Sequence, residues 1–88
     1  MRIRNARDLG LYVREQRLAR GQSQSDLAAL ALVSRRWLSD LERGKATAEI
    51  GLVFKVIAAL GTMVEVGPLP HQDLDLDEYL DSLGRGTR

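Results

Sequence analysis

Cysteine is absent from the 88-residue chain, which excludes disulfides and thiolate metal sites. The single histidine, His71, lies between prolines and acids rather than in a cluster of ligands, and reads as a solvated loop residue. No metal and no cofactor is therefore expected. No apolar run approaches the roughly 18 residues of a membrane span, and the N-terminus has no apolar segment of the secretory kind, so a cytoplasmic protein without membrane contact is expected. Nucleophile–base pairs and glycine-rich phosphate loops are missing too, which argues against an enzyme, and nothing repeats internally. A domain this small buries a modest core, so association with a second copy is a reasonable first expectation.

The formal net charge of +1 conceals an asymmetry. Residues 1–45 hold ten Arg/Lys against five Asp/Glu, while residues 46–88 hold three against seven, so the halves carry +5 and −4. A basic half suits a surface that faces phosphates, because each neutralised phosphate releases counterions. The acidic half must face elsewhere.

Asn5 can cap a first helix that runs to about Arg20 and ends at Gly21, with Leu9, Tyr12 and Val13 on one face and Arg7, Arg14 and Arg17 on others. Residues 22–45 then read as two short helices joined by a tight turn. Ser23 precedes the periodic Leu27, Leu30 and Ala31, with Asp26 three positions on as an acidic partner in a reciprocal cap. Ser34 caps the next helix, Val33 and Leu38 flank that start as an apolar staple, and Gly44 supplies a left-handed stop.

From about Ala48 to Leu60 a fourth helix carries Ile50, Val53, Phe54, Ile57 and Leu60 as one stripe, with Leu52, Val56 and Ala59 beside it. Lys55 is the only charge between Ile50 and Leu60, more apolar surface than one core requires, so Leu52, Val56 and Ala59 are assigned to contact with a second chain. The alternating residues Thr62 to Val66 predict a short strand, with Met63, Val64 and Val66 pairing with the same strand of a twofold-related copy. Beyond the stiff Pro68-Leu69-Pro70, five acids interleave with Leu74, Leu76, Tyr79, Leu80 and Leu83. Asp75 and Glu78 could form a capping box and Gly84 a stop. Such an acidic amphipathic segment either folds on a partner or stays disordered, and Leu76, Tyr79, Leu80 and Leu83 are its candidate partner-binding residues.

The pattern Val13-Arg14, Arg17, Gly21, Ser23-Gln24, Leu27-Ala28, Val33-Ser34-Arg35, Leu38-Ser39 and Leu41-Glu42-Arg43-Gly44-Lys45 resembles the Xre/Cro-repressor helix-turn-helix family over residues 6–61. That resemblance implies an all-α Cro/lambda-repressor-like domain of four to five helices, here with one short C-terminal strand pairing across a homodimer. The division expected is a DNA-binding domain at 1–61, a dimerisation strand at 62–67 and an acidic tail at 68–88. Strand and tail together are similar to the HipB antitoxins, which pair with the HipA serine/threonine kinase toxin and repress their own operon at the bacterial nucleoid. One departure stands out. Leu32 occupies the turn where the family commonly has glycine, and a leucine held at positive φ costs on the order of 1 kcal/mol. Leu30 and Leu32 either pack densely against the first helix or mark a partner surface.

In family geometry the third helix enters the major groove while the second crosses the backbone. Ser34, Arg35, Arg36 and Ser39 then face the groove, and Arg35 or Arg36 is suited to a bidentate bond with guanine unless both contact only phosphate. Asp40 either accepts from cytosine N4, filtering sequences, or pairs with Arg36. Gln24 is placed on a phosphate by the family pattern, Arg43 and Lys45 on the flanking backbone, and Trp37 either stacks on DNA or folds partly into the core. Arg2, Arg4 and Arg7 could extend the backbone footprint. The reading is a dimeric repressor of a palindromic double-stranded operator that also serves as an antitoxin. An Xre-family regulator without a toxin, or an inhibitor whose tail binds an enzyme, are the alternatives.

Overall fold

Each of the first three helices opens on a side-chain cap. In the computed structural model, which describes residues 1–69 and Leu80, α1 spans Ala6–Ala19, α2 Gln24–Ala31, α3 Arg35–Glu42 and α4 Ile50–Ala59. The Asp8 N–H donates to Asn5 Oδ1 at 2.8 Å, and the Trp37 N–H to Ser34 Oγ at 3.0 Å. Ser23 and Asp26 form the expected reciprocal box, the Asp26 N–H donating to Ser23 Oγ at 3.0 Å and the Ser23 N–H to Asp26 Oδ2 at 2.9 Å. Glu49, before α4, makes no side-chain cap.

Helices α1 to α4 all end the same way. The backbone reverses through a left-handed residue, and two amides return to carbonyls of the last turn: Gln22 to Arg17 and Gly21 to Leu18, Val33 to Ala28 and Leu32 to Ala29, Lys45 to Asp40 and Gly44 to Leu41, Thr62 to Ile57 and Gly61 to Ala58. Glycine fills that position at 21, 44 and 61, but at the turn between α2 and α3 it is Leu32, at φ 60° and ψ 44°. The strain expected at this turn is thus present, and Leu32 has no packing to offset it, being 78% exposed.

The core is one cluster of Val13, Leu27, Ala28, Ala31, Leu38, Leu41, Val53, Val56, Ile57 and Leu60, with Leu9, Val33, Trp37, Ala48 and Ala59 packed against it. α1 packs on α3, and α2 lies between α3 and α4, touching both. Close approach of α1 to the end of α3 depends on Gly10, where a Cβ would press on the Leu41 carbonyl oxygen and stand 2.8 Å from that of Glu42.

Several expectations are corrected by this packing. The buried stripe of α4 is Val53, Val56, Ile57 and Leu60, whereas Ile50 and Phe54 are 65% and 52% exposed. Val56 is therefore a core residue of its own chain and cannot form a dimer surface, while Leu52 and Ala59 are half-buried. A helix apolar nearly all round offers periodicity on two faces, and docking against α2 selects between them. Leu30 and Leu32 point to solvent rather than packing against α1, because α2 turns Leu27, Ala28 and Ala31 inward. Arg17 shares the buried face of α1 with Gly10 and Val13. Thr62 closes α4, its hydroxyl donating to the Ile57 carbonyl at 2.9 Å, and residues 62–69 form no strand. A strand needs a ladder partner, and none lies among the described residues. Met63, Val64 and Val66 are exposed there. Of the tail residues, Leu76, Tyr79 and Leu83, with His71, lie outside the described residues, and Leu80 is exposed.

Two outcomes follow from the caps. Leu32→Gly relieves about 1–2 kcal/mol of left-handed strain, offset in part by the greater freedom of glycine in the unfolded chain, so a net gain of about 0.5–1 kcal/mol is expected. Urea denaturation reads it, and an unmoved midpoint would show that the turn is unstrained. Asp26 is held below its ordinary pKa of 3.8 by the Ser23 N–H and then by the Ser23 hydroxyl. Its contribution to stability is thus present above about pH 4 and lost as pH falls through the depressed value. NMR titration should place its midpoint below 3.8, and Asp26→Asn should flatten this part of the acid limb.

Candidate nucleic-acid interface

The inner face of α3 is Leu38, Leu41 and Glu42, so its 100° spacing carries Arg36, Asp40 and Arg43 to the opposite side, with Ser39 and Arg35 on one flank. Trp37, on the other flank, is half-buried and packs on the core, which favours the folded-in alternative for its indole. Arg35, Arg36, Arg43 and Lys45 are all exposed. Lys45 borders a shallow surface depression with Asp40, Arg43 and Gly44.

A buried ion pair holds this face against the rest of the domain. Arg17 Nε donates to Glu42 Oε2 at 2.7 Å and Nη2 to Oε1 at 3.0 Å, with side chains only 9% and 3% exposed. Its Nη1 donates to the Gln22 carbonyl at 2.8 Å. Gln24 Nε2 adds a third donor to the Glu42 carboxylate at 3.1 Å. The hydrogen bond that Arg17 donates to Glu42, aided by the carboxylate's charge, outweighs burial and raises the Arg17 pKa above its already high ordinary value, so the guanidinium stays charged at any working pH.

From this pair a chain of bonds runs to the surface. Gln24, the first residue of α2, gives its amide hydrogen to Glu42 and accepts Arg35 Nη1 on its own oxygen at 3.2 Å. Four of the residues singled out from sequence form a second group. Asp40 pairs with Arg36 at 3.8 Å and with Arg43 at 3.7 Å, while Arg43 Nη2 donates to Ser39 Oγ at 3.2 Å. Ser34 spends an acceptor lone pair on its capping bond and is exposed, leaving its O–H to donate. Gln24, Ser34, Arg35, Arg36, Ser39, Asp40, Arg43 and Lys45 are thus gathered on α3, its ends and the start of α2.

Sequence reasoning placed Arg17 in the family pattern and on a face of α1 away from Val13, which its burial beside Val13 corrects, and gave Glu42 no role beyond that pattern. A usable signal existed: Arg17 continues the 10, 13, 17 register of the buried face of α1, and Glu42 directly follows the core residue Leu41. A cation and an anion on two inward faces must be partners, since burying either alone is prohibitive.

Residues 8–67 match a family model described as a helix-turn-helix domain. The chain is also similar to an uncharacterised HTH-type transcriptional regulator, y4mF, of Sinorhizobium fredii, with 40% identity over 65 residues that cover 74% of this chain and 86% of that protein.

Removing one partner of a buried pair strands the other charge, so Glu42→Ala should cost about 3–5 kcal/mol in chemical denaturation. The joint replacement Arg17→Met with Glu42→Leu should recover most of that loss. Equal destabilisation by the single and joint variants would mean that the two side chains act independently.

Proposed function

Because the chain belongs to the Xre-type helix-turn-helix family of transcriptional regulators, we propose that it is a sequence-specific DNA-binding repressor that acts as a homodimer, with α3 as its major-groove element. The observation that carries this reading is the exposed basic strip of Arg36 and Arg43, set opposite the core on α3, with Arg35 on its flank and Lys45 at its exit. An α-helix fits the major groove, and arginine is the side chain best shaped for guanine O6 and N7. Arg36 has a side chain 84% exposed and free to meet a base edge. Beside it, the N-terminus of α2, which begins at Gln24, is suited to a phosphate. Nothing in this arrangement calls for catalysis.

Dimerisation is supported by apolar surface left uncovered in one chain. Ile50 and Phe54 stand one turn apart on α4, and Met63, Val64 and Val66 follow with unladdered backbone. A second copy would cover the first pair and pair with the second segment, replacing the Leu52, Val56 and Ala59 face first expected. A twofold dimer reads a palindrome whose half-site centres lie about one helical turn, roughly 34–36 Å, or a multiple apart.

The finer part of the proposal is an antitoxin role of the HipB kind, toward a HipA-like serine/threonine kinase. It is supported by tail composition: five acids and five apolar residues between Asp73 and Leu83 suit a protein surface better than a phosphate one. Deleting residues 71–88 should then spare operator binding and abolish kinase neutralisation. Operator binding with no kinase co-purifying would leave a plain regulator.

The DNA reading itself is tested by selection from random duplexes and by salt titration. Arg36→Ala should cost roughly 1–3 kcal/mol and relax one base position per half-site, whereas Lys45→Ala should weaken all sequences evenly and flatten the salt slope. An unaltered consensus for both Arg35→Ala and Arg36→Ala would remove the guanine contact.

A further inference from the structure

Asp40 is the carboxylate of α3 that the buried pair leaves over, and it sits in the middle of the outward basic strip. Its oxygens stand 3.8 Å from Arg36 Nε and 3.7 Å from Arg43 Nη2, close enough for attraction but beyond hydrogen-bond reach. Arg43 Nη2 instead bonds Ser39 Oγ at 3.2 Å. The carboxylate therefore steers two guanidiniums without spending its lone pairs on either. Its side chain is 28% exposed, so those acceptors remain open to a donor that arrives from outside.

On a surface that attracts phosphates, an acceptor-only group is a liability unless the incoming molecule brings a donor. Phosphates bring none. Among the edges displayed in the major groove, cytosine N4 and adenine N6 do, but adenine sets its N7 lone pair beside the amine, where a carboxylate is repelled. Cytosine has no acceptor next to its amine on the same base edge. The Asp40 carboxylate lies 3.8 Å from Arg36 Nε, close to the rise of about 3.4 Å between successive base pairs, so the two tips can meet neighbouring base pairs.

We infer that Asp40 is a specificity-determining residue, which accepts the N4 amine of a cytosine beside the guanine taken by Arg36 and rejects duplexes that place only acceptors there. The inference rests on the DNA-binding reading above and assigns a second base to it. Arg36 and Arg43 serve as its counterweights: loosely paired, they turn toward DNA when a cytosine satisfies the carboxylate and stay drawn to Asp40 when none does.

Selection from a random duplex library, run in parallel on the full-length chain and on Asp40→Asn, tests this, with fluorescence titration of the selected and a scrambled duplex over a range of salt. Arg36→Ala marks the guanine. The wild-type consensus should carry cytosine next to that guanine. In Asp40→Asn this one position should lose its cytosine preference while the guanine remains, and the ratio of selected to scrambled affinity should fall about tenfold, within the range of a single lost base contact. Binding to scrambled duplex should tighten, with the logarithmic salt slope steeper by about 0.9 for each phosphate that a released arginine gains. A wild-type consensus that Asp40→Asn reproduces, with unchanged affinity for scrambled duplex, overturns the inference and leaves the DNA reading standing. No consensus from the wild type overturns both. The pairs are exposed, so equal thermal melting of variant and wild type is expected to exclude misfolding as the cause.

Discussion

Two opposite charges buried where three helices meet hold the arrangement that everything outside depends on. Arg17 on α1 and Glu42 at the end of α3 satisfy each other through two hydrogen bonds, and Gln22 and Gln24 fill the remaining positions around them. A nonpolar plug of similar volume could stabilise the fold as well or better, because the attraction between buried ions hardly exceeds the cost of drying them. What a plug lacks is direction. The pair accepts one register of α1 against α3, consistent with the backbone contact at Gly10 that forbids any side chain. Through Gln24 the same pair reaches Arg35, so the attitude of an exposed arginine depends on a carboxylate that solvent hardly touches.

Local structure was legible in the sequence because it is encoded locally. Asn5, Ser23 with Asp26, and Ser34 carry the helix starts in their own side chains, and Gly21, Gly44 and Gly61 mark three of the four stops. The fourth stop shows the limit of that code. Leu32 adopts the left-handed geometry that glycine provides elsewhere in the chain, held by the amides of Leu32 and Val33 bonding back to Ala29 and Ala28. A turn between two capped helices is over-determined from both sides, and tolerates about 1–2 kcal/mol of strain at the residue between.

Tertiary features were less legible for a different reason. On α4 every rotation buries something apolar, so periodicity alone could not distinguish the face of Val53, Val56, Ile57 and Leu60 from the one through Ile50 and Phe54. The alternation at 62–66 describes what a strand would look like, yet strands exist only in pairs, and Thr62 is already committed to closing α4. On α3 and the start of α2 the grouping of exposed polar and basic residues was readable while their couplings were not. Nothing in the order of residues says that Gln24 would lie between Glu42 and Arg35, or that Asp40 would stand between Arg36 and Arg43, because each grouping needs the angle between helices or the rotamers of long side chains.

The distribution of charge connects these observations. Ten of the chain's thirteen basic residues precede Ala46, but they are not equivalent: Arg17 is consumed by the core, Arg20 bonds back onto Gln16 at 3.0 Å, and Arg36 and Arg43 share one carboxylate. A face meant only to adhere to phosphate would gain from every uncompensated cation, since each contact adds counterion release whatever the sequence. On the proposed DNA-binding reading, Asp40 on the strip would work against that and lower affinity for DNA in general, an arrangement favoured only where discrimination between sequences counts for more than total binding strength. The same logic applies to the acidic residues that follow α4 in sequence. Their charge opposes phosphate, so the part of the chain beyond α4 is suited to a contact of different chemistry from that of α3.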